Sequence, residues 1–253
     1  MTWLPTDCHA HSTHSDGSMS VAEVVARGAA LGVRVTVSDH ISRDAPTTVS
    51  SVAAVEAYLD DLEQYDVLRG GEFCWHDALW RELPAEIVRR FTHRVGSLHS
   101  IRLKNGSYFR VFSQSLPAEL TPDVYIEAHV ASLETLAREM PVDILAHPTL
   151  MPPPMRTIHP HDLWTEAHEE RSVQALLAGG QAFEISARYP PHERLVRRAA
   201  DAGVRLSLGS DGHARDQVAN IVAPLALARA VGVADEALYE PARHGSRTGA
   251  FAA

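Results

Sequence analysis

Thr6-Asp7-Cys8-His9-Ala10-His11 near one end of the chain and Leu206-Ser207-Leu208-Gly209-Ser210-Asp211-Gly212-His213 near the other each run from a strand-like stretch into two metal-ligating side chains spaced two apart. A strand advances about 3.3 Å per residue and alternates faces, so His9 and His11 project together about 6.5 Å apart, and Asp211 and His213 do likewise. Two such pairs can close around one ion cluster. Working outward, the same arrangement recurs. His40, Glu72, His99 and His147 fall at or just past the ends of further apolar segments, and Asp16 follows the first pair. Imidazole and carboxylate suit Zn, Mn or Fe, and three carboxylates among six imidazoles leave room for divalent ions sharing a bridging ligand.

The strand candidates are residues 4–9, 33–39, 67–73, 94–98, 142–146, 181–186 and 204–210, alternating with amphipathic or Ala-rich stretches. That alternation is the signature of repeated βα units around a largely parallel sheet or barrel. Ser20-Val21-Ala22-Glu23 is a capping box opening a helix that stops at Gly32. A second helix is expected over 50–65. Thr121-Pro122 reads as N-cap and N1 of a helix to Glu139, and Pro191 opens another ending at Gly203. The last helices are expected near 215–230 and 234–239, with residues 1–242 forming one domain and 243–253 a weakly ordered tail. Ligands at the C-terminal ends of strands match where barrel and open α/β enzymes build their sites. Three loops, Phe73–Pro84, Ser100–Leu120 and Pro148–Arg171, should overhang the pocket, and Asn105-Gly106 between strand formers predicts a hairpin in the second.

Composition narrows the function. A chain of 253 residues with 45% hydrophobic content can bury the core of one barrel-sized domain. A net charge of −9 argues against a long nucleic-acid partner, whereas bound dications can make a local pocket cationic and suit a small anionic substrate. No apolar run approaches a membrane span, and Met1 to Pro5 lacks the features of a signal peptide, so a cytoplasmic location is expected. Cys8 and Cys74 are expected as buried free thiols, with Cys8 pointing away from the face that carries His9.

Asp7-Cys8-His9-Ala10-His11-Ser12-Thr13, Ser38-Asp39-His40, Gly71-Glu72, Gly96-Ser97-Leu98-His99, Ala146-His147-Pro148 and Ser210-Asp211-Gly212-His213 together resemble the PHP (polymerase and histidinol phosphatase) superfamily. The match runs in order from residue 7 to about 213. The resemblance implies a distorted seven-stranded (β/α)7 barrel, TIM-barrel-like, and phosphoester hydrolysis at a di- or trinuclear site. It also implies that His9, His11, Glu72 and Asp211 hold one ion, that Glu72 bridges to a second held by His99 and His147, and that Asp16, His40 and His213 hold the third. Glu72, Asp211 and His213 are the ligands expected to act in catalysis.

Site chemistry agrees with this. Three dications against three carboxylates leave excess positive charge for a phosphate dianion, and bridging coordination can lower the pKa of water enough to supply a hydroxide nucleophile. Ser12, Ser38, Ser97 and Ser210 adjoin the motifs without forming a Ser-His-Asp set and read as hydrogen-bond donors. Asp7 and Asp39 are placed to orient ligand imidazoles. Arg188 leads the candidates for phosphate oxygens, followed by Arg43, Arg215 and Arg156. His159, His161 and His192 lie on pocket-side loops as potential proton donors, whereas His14, His76, His93, His129, His168 and His244 read as surface or core residues. Trp75, Trp80, Tyr108 and Trp164 could supply an apolar rim. The reading is a metal-dependent phosphomonoesterase with histidinol phosphate as leading substrate. Its alternatives are a phosphodiesterase or nucleotide phosphatase, and a non-catalytic metallodomain, against which the nine filled ligand positions count.

Overall fold

The computed structural model describes residues 3–246. Its first half alternates β1 (Thr6–Asp7), α1 (Val21–Leu31), β2 (Arg34–Val37), β3 (His40–Ile41), α2 (Val52–Leu62), β4 (Leu68–Arg69), β5 (Glu72–Cys74), α3 (Leu79–Glu82), α4 (Ala85–Val88) and β6 (Val95–Ser97). A hairpin of β7 (Ser100–Arg102) and β8 (Tyr108–Arg110) precedes α5 (Pro122–Glu139), β9 (Ile144–Leu145), α6 (Pro160–Leu163) and α7 (Glu166–Gly179). The chain continues through β10 (Ala182–Ser186), α8 (Glu193–Asp201), β11 (Leu206–Gly209), α9 (Val222–Ala230) and α10 (Pro241–His244). No described helix is long and apolar enough to cross a membrane.

Parallel pairing gives one sheet in the order β1-β2-β4 and a larger one in the order β11-β10-β9-β6-β5-β3, with β7-β8 antiparallel beside them. The fold is therefore mixed α/β with mostly parallel strands. The hydrogen-bonded ladders of the described residues do not form the single closed ring expected. The strand expected over 33–39 ends at Val37, with a separate β3 after Ser38-Asp39, and the strand expected over 67–73 is split in two at Gly70-Gly71. Gly70 is needed there because a Cβ would collide with Ser38 Oγ on the neighbouring strand. Across the remaining gap, an isolated parallel bridge joins Ala10 to Gly212, Cys8 N–H donates to Leu208 O at 2.8 Å, and Asp211 N–H donates to His9 O at 2.8 Å. Both ligand pairs are thereby held side by side.

The helix signals resolve unevenly. Ser20 caps α1 with the reciprocal Glu23 bond, and Gly32 ends it in the left-handed region at φ 65°. Thr121 and Pro122 open α5, which ends at Glu139. The Asn105-Gly106 hairpin forms, with Gly106 at φ 86°. In contrast, α9 starts only at Val222, and the helix expected at 234–239 is one 3-10 turn, Asp235–Ala237. The third expected loop is also shortened, because α7 begins at Glu166. Its N-cap Thr165 pairs with His168 at the position where a Glu or Gln is the usual signal, and its fully buried apolar side chains are only Val173 and Leu176. Of the expected tail, Arg243 and His244 belong to α10, and residues 247–253 lie outside the described residues.

Candidate metal centre

Eight of the nine ligand candidates are delivered by strand ends, not all C-terminal as expected, and Asp16 comes from the turn after the first pair. His9 and His11 follow β1, His40 opens β3, Glu72 opens β5, His99 and His147 lie just past β6 and β9, and Asp211 and His213 lie past β11. The parallel register sets His40 directly opposite Glu72. All nine candidates converge.

Glu72 stands at the centre. Its Oε1 lies 3.1 Å from both His99 Nε2 and His147 Nε2, while Oε2 lies 2.6 Å from His40 Nδ1 and 3.5 Å from His9 Nε2. One carboxylate thus faces two sets of imidazoles. His11 Nε2 is 3.3 Å from Asp211 Oδ1, and Asp16 Oδ1 is 3.1 Å from His213 Nε2 and 3.5 Å from His40 Nε2. Three groups bring their donor atoms within 4.8 Å of one another: His9, His11 and Asp211; His40, Glu72 and His99; and His11, Asp16, His40 and His213.

This donor set fits divalent ions on its own chemistry. Glu72 Oε2 and His40 Nδ1 are close yet not aligned as a hydrogen bond, and both are buried without a hydrogen-bond partner, as is His147 Nδ1. Buried polar atoms are normally satisfied, so lone pairs crowded in this way call for a cation. Burial opposes ionisation of Glu72, but the surrounding imidazoles of His99, His40 and His9 hold its pKa well below the usual range. Asp211 is lowered in the same sense, with burial opposed by His11 and His9. Burial, with His40 beside it, pushes His11 down to about 3, whereas at His99 burial is outweighed by Cys74 and Glu72, raising it to about 9. His147 and Asp211 sit at φ 30° and 49°, conformations unusual for non-glycine residues and typical of constrained functional positions.

The groups that orient the ligands differ from those expected. Glu184, fully buried in β10, accepts from His9 Nδ1–H at 2.7 Å and from the His147 backbone N–H at 2.6 Å. Gly209 makes room for it, since a Cβ there would collide with the carboxylate. Asp7 and Asp39 hold backbone instead of imidazoles. Asp7 accepts from Ser210 N–H at 2.8 Å, Ser210 Oγ–H at 2.6 Å and Ala219 N–H at 3.0 Å, and burial raises its pKa to about 6. Asp39 accepts from the N–H and Oγ–H of Ser12 at 2.7 and 2.6 Å. Cys8 turns away from the cluster and packs with Val95, Ile144 and Ala182.

A cavity of about 370 Å³ opens over the cluster. Arg188 lines it and donates to His213 Nδ1 at 2.6 Å. Arg156, stacked 5.0 Å from the Tyr189 ring, and Arg110 line it too. Arg43 and Arg215 do not: each is exposed and paired, with Glu82 and Glu23 respectively. His159, His161 and His192 are also away from the cavity, with His192 donating to Glu169 at 2.6 Å. His76, read as a surface or core residue, is a wall residue bonded to Asp44 at 2.9 Å. The apolar walls are Phe112 and Tyr189; the three tryptophans expected there are buried elsewhere, and Tyr108 is outside the cavity.

No model of a known protein family matches the chain, and no curated protein sequence matches it. Its fold is that of solved histidinol phosphate phosphatases. The histidinol phosphate phosphatase of Lactococcus lactis, solved with zinc, L-histidinol and phosphate, superposes with a TM-score of 0.67 at 15% identity, covering 92% of this chain and 95% of that one. A Listeria monocytogenes protein described as a candidate histidinol phosphatase gives a TM-score of 0.71 at 14% identity, over 87% of this chain and 99% of that one.

Proposed function

We propose that the protein is a metal-dependent phosphoesterase that hydrolyses the phosphate monoester of a small metabolite, with histidinol phosphate as the leading candidate. The observation that carries this reading is the convergence of nine imidazole and carboxylate ligands around Glu72 at the floor of a cavity that also presents arginine. The Lactococcus lactis neighbour, holding zinc, L-histidinol and phosphate, supports the same chemistry and substrate class. The bridge between Ala10 and Gly212 supports reading the seven strand segments as a distorted barrel within one catalytic unit over residues 1–242.

In this reading His9, His11, Glu72 and Asp211 hold one ion, Glu72 with His99 and His147 a second, and Asp16, His40 and His213 a third. Such ions supply Lewis acidity and activate water for attack on phosphorus. The chain's own contributions are distinct. Glu72 and Asp211 stay ionised, Glu184 fixes the His9 ring, and Glu72, Asp211 and His213 border the reacting phosphate. Arg188, beside His213, and Arg156 offer parallel N–H donors to the non-bridging oxygens. Phe112 and Tyr189 wall the leaving alcohol from water.

The test is phosphate release from histidinol phosphate, nucleoside monophosphates, a dinucleotide and p-nitrophenyl phosphate, using metal-depleted protein resupplied with Mn, Zn or Fe. A preference of tenfold or more for one small monoester supports the reading. Failure to hydrolyse any of them in folded, metal-loaded protein contradicts it, and preference for the dinucleotide replaces it with a phosphodiesterase.

A further inference from the structure

We propose that Cys74 is a positioning residue for His99, its thiol holding Nδ1 so that Nε2 is directed at Glu72 and free to take a cation. Cys74 ends β5 and pairs in register with Ser97 of β6, which brings its side chain beside His99 two residues further on. The Sγ atom lies 3.0 Å from His99 Nδ1, and both residues are buried. On the other side of the ring, Nε2 is 3.1 Å from Glu72 Oε1. The remaining polar neighbour, Ser97 Oγ, is at 3.5 Å and already donates to Phe73 O.

Cys74 therefore does for His99 what Glu184 does for His9, with a softer sulfur group. A ligand imidazole needs its second nitrogen engaged to fix ring and tautomer. A sulfur that accepts from Nδ1–H fixes the tautomer that leaves the Nε2 lone pair free for a cation. Sγ addresses the nitrogen that faces away from Glu72, and it belongs to none of the three donor groups, so its part is orientation and not ligation. This role explains a buried thiol in a cavity wall that the phosphatase reading otherwise leaves idle.

The inference rests on the reading that the cluster binds divalent ions, and its test separates the two. Zn²⁺ and Mn²⁺ affinity and stoichiometry are measured by chelator competition on metal-depleted wild type, Cys74→Ser and Cys74→Ala, with circular dichroism confirming the fold. Serine, also donor and acceptor, should stay within about threefold of wild type, whereas alanine should lose about 10- to 100-fold at one site. Wild-type affinity and stoichiometry in Cys74→Ala overturn the inference alone. Absence of binding to wild type overturns the metal reading and the inference with it. A second readout needs no variant. Long-range ¹⁵N–¹H spectra of Zn-loaded wild type should show a proton on His99 Nδ1, and a deprotonated Nδ1 with Nε2–H would contradict the assignment.

Discussion

The floor and the rim of the site are built differently. On the floor, His9 and His11 are fully buried and Glu72 is 1% exposed, with Glu184 and Cys74 behind the imidazoles. At the rim, the side chains of Asp16 and His213 are 34% and 17% exposed, and the group touching His213 is the cavity arginine Arg188. Desolvated, oriented ligands hold an ion tightly, whereas exposed ones lose affinity to water and rearrangement. On the proposed reading the comparison teaches a division of labour: the floor would retain its ions, and an ion at the rim would be the exchangeable one, next to the arginine that would meet phosphate.

The largest test of that division is Glu72→Gln, which removes the charge shared by both imidazole sets. Turnover should fall by at least about 1,000-fold and bound metal should drop while the fold persists, as read by phosphate release and metal analysis. Full activity with unchanged metal content would remove the shared-ligand account. Next comes Glu184→Gln, which touches no substrate. It should weaken floor metal affinity by about 10- to 100-fold in chelator competition, and unaltered affinity would mean that the His9 orientation is irrelevant. Asp16→Asn should be milder at saturating metal, costing about tenfold in kcat and only the weakest equivalent of metal, within the usual range for such changes. Loss of every equivalent would erase the distinction between floor and rim.

Buried histidines outside the cluster sharpen the contrast further. His93 donates to Cys8 O at 2.9 Å and His129 to Pro148 O at 2.8 Å, and burial lowers each pKa to about 4. Their folded pKa lies below the unfolded value of about 6.5, so the unfolded chain binds the extra proton. The stability they contribute is complete above about pH 6.5 and is lost as pH falls toward 4, at about 1.4 kcal/mol per pH unit for each histidine. Denaturant unfolding of metal-depleted wild type and His129→Gln should differ in slope by one proton across that window, with little effect on turnover at neutral pH. Parallel slopes would show that His129 titrates normally.

What could be read directly from the chain was whatever is local or periodic. The ligand pairs, the Ser20 capping box and the Thr121-Pro122 helix start each carry their geometry within a few residues. What escaped depends on register or on distant charge. Glu184 sits inside the apolar run Ala182–Ser186, and its role appears only when β10 lies beside β11, with Gly209 leaving space. Cys74 acquires a partner only through the β5–β6 pairing. Choosing among arginines required knowing that Glu82 and Glu23 already engage Arg43 and Arg215. The α7 helix was hidden because its cap uses His168 and its buried stripe is narrow.

The most direct test of the central claim is stepwise refilling of metal-depleted protein with Mn²⁺ or Zn²⁺, counting bound equivalents while recording phosphate release from histidinol phosphate. The account predicts no turnover without metal, tight uptake by the floor first, and activity rising to its maximum as the weaker rim equivalent fills. Undiminished turnover in folded, metal-free protein would contradict it.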